Sequence, residues 1–381
     1  MMRCCAVLLT SIAALSGAAR AQLPEEAARQ WHAWRGPEAT GVAPHGDPPL
    51  RWDAQTNIRW NTPVEGRGSA SPIVWRDRIY LLTAVDTGRP GPDAAEGQRN
   101  LHQFKILCLD RRTGELLWER TANEAVPHES LHQTNTYASG SATTDGERLY
   151  ASFGSFGVYC YDLDGQPLWQ RDLGRMQTRN QFGEGVSPTV YGDYLIVNWD
   201  QESDSRIYAL DAATGQTRWE QPRDEITSWN TPIVVAGGGR TQVVVNGTNR
   251  ARGYDLHTGE VIWECGGQTV NAIASPVALE EVVFCMTGFR GNAVYAIPLS
   301  AVGDITGTDQ VTWHFGRAGP YGPSPILYDD RLYFFKSNNA ILTCLDAHTG
   351  QPLFDQRRVP ALGGPYASPR RPAGGPHTPR R

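Results

Sequence analysis

The stretch Ala209–Glu220, ALDAATGQTRWE, constrains the fold of this chain more than any other, because it is the cleanest copy of a unit that returns along most of the sequence. A small residue is followed two positions on by Asp, then by a Thr-Gly pair, then by a Trp four residues after the Gly. The same frame reads CLDRRTGELLWE at Cys108–Glu119, GYDLHTGEVIWE at Gly253–Glu264 and CLDAHTGQPLFD at Cys344–Asp355, with a shortened CYDLDGQPLWQ at Cys160–Gln170. An Asp at the head of a turn accepts from backbone N–H groups ahead of it, and Gly supplies the positive φ of a tight hairpin. The alternating residues Ile207-Tyr208-Ala209-Leu210 before the turn and Thr217-Arg218-Trp219 after it read as antiparallel strands. In this reading Asp110, Asp162, Asp211, Asp255 and Asp346 form turns, and Gly114, Gly215, Gly259 and Gly350 close them. Trp118, Trp169, Trp219, Trp263 and Trp313 hold one fixed place on the outgoing strand.

The tryptophans at 60, 118, 169, 219, 263 and 313, with Phe354 in the next place, advance by a mean of about 49 residues, a spacing at which four-stranded propeller blades repeat. A second marker keeps the same period: Ser71-Pro72, Ser141-Ala142, Ser187-Pro188, Thr231-Pro232, Ser275-Pro276, Ser324-Pro325 and Ser368-Pro369. The expected fold is therefore all-β, a β-propeller of four-stranded antiparallel blades. Its units run over 71–118, 141–169, 187–219, 231–263, 275–313 and 324–354, and a seventh opens at 365–369.

The Ala-x-Asp-x-x-x-Gly-x-x-x-Trp frame resembles the tryptophan-docking repeat of the pyrroloquinoline quinone (PQQ) type of β-propeller, a WD40-like superfamily. Quinoprotein alcohol dehydrogenases and the propeller lipoprotein of the outer-membrane protein assembly machinery belong to it. The chain is similar above all to secreted bacterial PQQ-binding-like propellers that open on a Trp-Arg-Gly-Pro stretch such as Trp34–Pro37, and the resemblance covers Trp34 to Pro369. It implies a complete form of eight blades. It also implies PQQ and calcium as possible cofactors, but the adjacent Cys-Cys pair of the quinoproteins occurs here only as Cys4-Cys5. No stretch aligns with the carboxylates that hold calcium or act as base.

Residues 1–21 have the layout of a secretory signal peptide: one Arg, the apolar run Ala6–Leu15, then Ala19-Arg20-Ala21 as a cleavage site. The run is too short for a transmembrane helix, and no lipid-anchored Cys follows it, so the product is expected to be secreted or periplasmic. Residues 22–55, rich in Pro and Gly, are expected to run irregularly over the surface, and 56–369 to form the propeller. Asn57–Pro63, which carries Trp60, is expected to be an outer strand that completes the last blade and closes the ring. Asp86–Gln103 reads as a polar, disordered hairpin loop, and Leu299–Thr308 replaces the Asp-Thr-Gly turn in unit five. Arg370–Arg381, RRPAGGPHTPRR, lacks apolar alternation and reads as a non-propeller tail, the product of a truncation or frameshift or else a true flexible tail.

Net charge is −5 with both signs interspersed, so neither a nucleic-acid surface nor an acidic tail is expected. Past the signal stretch Cys108, Cys160 and Cys344 share the place of Ala209 and read as small core residues, while Cys265 and Cys285 lie on neighbouring units and could pair. The sequence His128-Glu129-Ser130-Leu131-His132 matches a zinc-peptidase pattern, but Pro127 precedes it and no helical period surrounds it. No metal site is assigned. Nucleophile-elbow, phosphate-loop and CxxC patterns are absent.

Links from a fourth strand to the next first strand emerge together around the mouth of a propeller channel. Theirs are the candidate binding residues: His132, Asn135 and Tyr137; Arg179, Asn180, Phe182 and Glu184; Ser228, Trp229 and Asn230; Asn271; and Tyr321. Convergent amides, an imidazole and aromatic rings suit an exported partner protein or a small polar ligand. The bland alternative is that they tie neighbouring loops together. The chain is thus expected to be a monomeric binding or scaffold propeller, with a PQQ- and calcium-dependent dehydrogenase as the alternative.

Overall fold

The computed structural model describes residues 25–49, 51–91, 99–337, 339–360, 368 and 371–372; the signal-like stretch and most of the tail fall outside them. Among the described residues, six sheets of consecutive antiparallel strands follow one another as propeller blades. Blade one comprises Ile73–Trp75, Arg78–Pro90, Asn100–Asp110 and Leu116–Ala125. Blades two to six begin at Thr143–Thr144, Thr189–Tyr191, Ile233–Gly237, Val277–Leu279 and Ile326–Tyr328, and end at Pro167–Arg171, Thr217–Pro222, Val261–Cys265, Trp313–Phe315 and Pro352–Arg358.

The repeat frame explains the hairpins. In every complete copy the small residue sits opposite the aromatic one, Cys108 to Trp118, Cys160 to Trp169, Ala209 to Trp219, Gly253 to Trp263 and Cys344 to Phe354. The register slips immediately after that small residue each time, a bulge that turns the ring out of its own sheet. Asp110 Oδ1 accepts from the Arg112 and Thr113 amides at 2.7 and 2.8 Å, and Asp211, Asp255 and Asp346 do the same in their turns.

Four of the outgoing-strand tryptophans, Trp118, Trp169, Trp219 and Trp313, then dock on the next blade. Trp169 lies on Gly215, where a Cβ would stand 2.6 Å from the ring, and its Nε1–H donates to Ala212 O at 3.0 Å. Trp118 meets Gly165 and Leu163 O, Trp219 meets Gly259 and Leu256 O, and Trp313 meets Gly350 and Ala347 O in the same way. Apolar packing follows the same seams: Ile196, Ile207 and Ala209 of blade three share a cluster with Val243, Val245 and Tyr254 of blade four.

Several expectations need correction. Trp263 finds no Asp-Thr-Gly turn in blade five, so it folds back over Gly253 and donates to Gln242 Oε1 at 2.9 Å. The segment that replaces the turn adds Gly303–Asp304 as a parallel fifth strand beside Val261–Cys265. Asn57–Pro63 is not a strand, although Trp60 docks on Gly114 and donates to Arg111 O, because docking needs only the turn of blade one. Within Asp86–Gln103, residues 86–90 and 100–103 are strand, with Asp86 opposite His102 and Arg89 paired to Glu124 at 2.8 Å, while 92–98 lie outside the described residues. Arg371–Pro372 does make a strand pair, parallel to Val42–Ala43. Cys265 and Cys285 are free and buried, each filling a core position in its own sheet.

Residues 31–42 of the N-terminal extension are mostly buried rather than laid over the surface, whereas 51–55 are exposed as expected. The innermost strand of a blade has an unpaired edge facing the channel, which must find partners. Trp31 O accepts from Val74 N at 2.7 Å, His32 O from Thr144 N at 3.0 Å and Thr40 O from Leu327 N at 3.4 Å. The segment thus caps the inner edges of blades one, two and six. Arg35, only 1% exposed, anchors it by donating to Ala39 O, Thr40 O and Pro325 O.

Candidate functional site

The serine and threonine markers form a chain of hydrogen bonds around the axis. Ser71 N donates to Ser141 Oγ at 2.8 Å, Ser141 N to Ser187 Oγ at 2.9 Å and Ser187 N to Thr231 Oγ1 at 3.2 Å. Thr231 N donates to Ser275 Oγ at 3.1 Å, Ser275 N to Ser324 Oγ at 3.0 Å and Ser324 N to Ser368 Oγ at 2.9 Å. Each blade is thereby stitched to the next at the entry of its first strand.

Against this belt lies a cavity of about 390 Å³. Five of the link residues converge on it: His132, Asn135, Phe182, Trp229 and Tyr321. Trp34 of the N-terminal segment lines it too, with Nε1 3.4 Å from Ser275 Oγ. The rings are held in place. Trp229 donates to Gly183 O at 2.7 Å, His132 packs edge-on to Phe182 at 4.9 Å, and Tyr321 stacks on Phe289 at 4.7 Å. Asn135 Nδ2 donates to Phe182 O at 2.8 Å and Glu184 O at 3.1 Å, so one link fixes the next. Among the described residues, none of the side chains that line the cavity is an Arg, Lys, Asp or Glu.

The other candidates sit elsewhere. Tyr137 packs on His102 at 5.0 Å and donates to Glu129 O at 2.9 Å. Arg179 and Asn180 belong to a short 3-10 turn, with Asn180 in the left-handed region at φ 51°. Asn230 is fully buried: its amide donates to Asn246 O at 2.8 Å and its Oδ1 accepts from Asn246 N at 3.1 Å in blade four, while its carbonyl accepts from Asn198 of blade three at 3.4 Å. Asn271, at φ 59°, reaches the Tyr321 hydroxyl at 3.5 Å from behind. The zinc-like motif is irregular backbone: His128 Nε2 meets Met176 O at 2.8 Å, and Glu129 accepts from the Thr178 amide at 2.9 Å.

Two buried polar centres support the links. Glu184 takes Ser155 Oγ at 2.5 Å and Ser155 N at 2.6 Å beside a space of about 30 Å³, room for a water or two. Burial pushes its carboxyl up to about 7, against the pull of the Ser155 bonds, with Glu129 adding to the rise. Asp200 and Arg223, both side chains fully buried, pair at 2.6 Å, and Ser228 and Tyr254 complete their hydrogen bonds. The hydroxyl belt, Trp34 and this ion pair escaped sequence reasoning, although the Ser/Thr period was the visible trace of the first.

A family model described as outer membrane protein assembly factor BamB matches residues 102–356, about two thirds of the chain. The chain belongs to this family of PQQ-type repeat propellers. In this BamB-family chain the matched range starts in blade one and ends in the last strand of blade six, leaving out the segment that carries Trp34 and Arg35. Among solved structures, a europium-containing methanol dehydrogenase is 12% identical, with 90% of this chain and 87% of that one covered at a TM-score of 0.56, which shows a shared fold. BamB from Moraxella catarrhalis is 15% identical over 76% of this chain and 86% of that one, at a TM-score of 0.47. A quinohemoprotein alcohol dehydrogenase from Comamonas testosteroni is 11% identical over 91% and 75%, at 0.44. No curated protein matches the chain significantly.

Proposed function

We propose that the chain is an exported, non-catalytic binding or scaffold propeller that holds a partner protein or small ligand at the mouth of its channel. The cavity carries this reading: fixed rings of Phe182, Trp229 and Tyr321, with His132 and Asn135, converge from separate links on one space. Such a concave site with few polar groups suits recognition. The family's description, an assembly factor for outer membrane proteins, names a task carried out on proteins. Export is supported by the signal-like stretch 1–21 and by BamB-like and quinoprotein relatives that are periplasmic or exported. Among the described residues no helix is long and apolar enough to cross a membrane.

The dehydrogenase alternative asks for calcium ligands and for groups that meet the three carboxylates of PQQ. Among the described residues the cavity offers no Arg, Lys or carboxylate side chain, and no three His, Cys, Asp or Glu side chains group as a metal site. Among the described residues the donor set does not fit the group. Reconstitution tests the reading. The protein incubated with PQQ and Ca²⁺ is expected to show an unchanged unfolding midpoint and no alcohol-dependent dye reduction, since a ligand of the native state raises the midpoint. Dye reduction that requires the quinone would overturn it.

A further inference from the structure

The hydroxyl belt does more than stitch blades. Ser187, Thr231, Ser275 and Ser324 line the cavity and are 3%, 6%, 4% and 2% exposed. Each oxygen accepts a backbone N–H, which leaves its own O–H to donate, and among the described residues none of these four O–H groups has an acceptor. Buried donors are ordinarily paired, so a crown of four around one space points to an acceptor-rich occupant. Aromatic rings lie beside the crown, and among the described residues the walls carry the His132 imidazole but no Arg, Lys, Asp or Glu to match an anion or a cation.

A group with many oxygen acceptors, an apolar face and no charge is a neutral pyranose sugar. We infer that the cavity binds a neutral carbohydrate, its ring lying on Trp229 or Tyr321 and its oxygens taking the O–H groups of Ser187, Thr231, Ser275 and Ser324. This rests on the proposal that the channel mouth is a binding site, and names the ligand class. A charged sugar or a carboxylate is disfavoured, since among the described residues it would find no Arg or Lys counter-ion here.

Isothermal calorimetry of the intact protein tests the inference, with N-acetylglucosamine, glucose and cellobiose as neutral probes, and glucuronate and an acetyl-triglycine amide as controls. Saturable binding of a neutral sugar is expected. It should weaken about tenfold, as one hydrogen bond implies, in Thr231→Val, which keeps the shape, loses one O–H and also takes the acceptor from the Ser187 amide, so its urea unfolding is measured beside its binding. Trp229→Ala should weaken it at least as much, with the far-ultraviolet dichroism of both variants unchanged. Should Trp229→Ala misfold, Thr231→Val with Tyr321→Phe as a conservative control decides. Tighter binding of glucuronate or the peptide than of every sugar overturns the carbohydrate class and leaves the binding reading standing. Sugar binding insensitive to Thr231→Val and Trp229→Ala places the ligand elsewhere and overturns it too. If no probe binds, the carbohydrate class falls; the binding reading falls with it only if a photoreactive group at position 182 also gains no adduct in the producing cell.

Discussion

Replacing two glycines of blade three separates the cost of backbone conformation from the cost of losing an inter-blade tryptophan. Gly192 and Gly215 both have positive φ, 53° and 71°, but an added Cβ meets nothing within 4 Å at Gly192 and the Trp169 ring at 2.6 Å at Gly215. Gly192→Ala should therefore cost only the left-handed penalty, about 1–2 kcal/mol. Gly215→Ala should cost that plus displacement of the ring. The displacement forfeits the Nε1–H bond to Ala212 O and part of the burial that makes Trp→Ala changes cost 3–5 kcal/mol, for a total of about 3–5 kcal/mol. Urea unfolding at constant m-value reads both. In a Trp169→Ala background there is no ring to displace, and Gly215→Ala should fall back to about 1–2 kcal/mol, a coupling of about 2–3 kcal/mol. Equal costs for the two glycine changes, or an undiminished cost for Gly215→Ala without Trp169, would refute the docking mechanism.

Ser187→Ala removes the acceptor of the Ser141 amide and should cost about 1–3 kcal/mol in urea unfolding, the penalty of a buried donor left unpaired; a change under about 0.5 kcal/mol, the surface level, would count against the belt. Asp200→Ala leaves the Arg223 guanidinium buried without its partner and should cost about 3–5 kcal/mol, whereas a near-neutral result would mean that water reaches the pair. The Glu184 carboxyl, raised to about 7 by burial, holds a proton in the folded chain that the unfolded chain has already lost. Stability should therefore fall as pH rises from about 4.5 to 7, and Glu184→Gln should flatten that slope; identical slopes would exclude Glu184 as the source. Burial pushes the Cys265 thiol up to about 11 and the Cys160 thiol to about 12, so neither should react with a thiol reagent in the native protein. Under denaturing alkylation without reductant, a Cys265–Cys285 linked peptide would contradict the free thiols.

The blades were legible because each signal is local. A two-residue alternation, an Asp that folds onto amides two and three residues ahead, and a Gly with positive φ all act within about a dozen residues. Docking was legible in phase but not in partner: nothing within the Trp263 copy shows that the turn it needs is absent from the next blade. The Ser/Thr markers kept the period, yet their bonds join residues 44 to 70 positions apart, which no local pattern displays. Pro- and Gly-rich backbone around Trp34 and Arg35 reads as surface loop, but its carbonyls are what the bare inner edges of three blades require. Polar residues in the links looked alike in sequence. Burial separates them, placing Trp229 on the cavity and Asn230 one position on in a seam between blades.

The most direct test of the channel mouth as a binding site is photolabelling in the producing cell. A photoreactive phenylalanine at position 182, on the cavity, is compared with one at position 213, exposed in the outer hairpin of blade three. Mass spectrometry of the recovered protein should show a discrete adduct, small ligand or protein, at 182 and none at 213. Equal labelling at the two positions, or no adduct at 182, would contradict a binding role for this face.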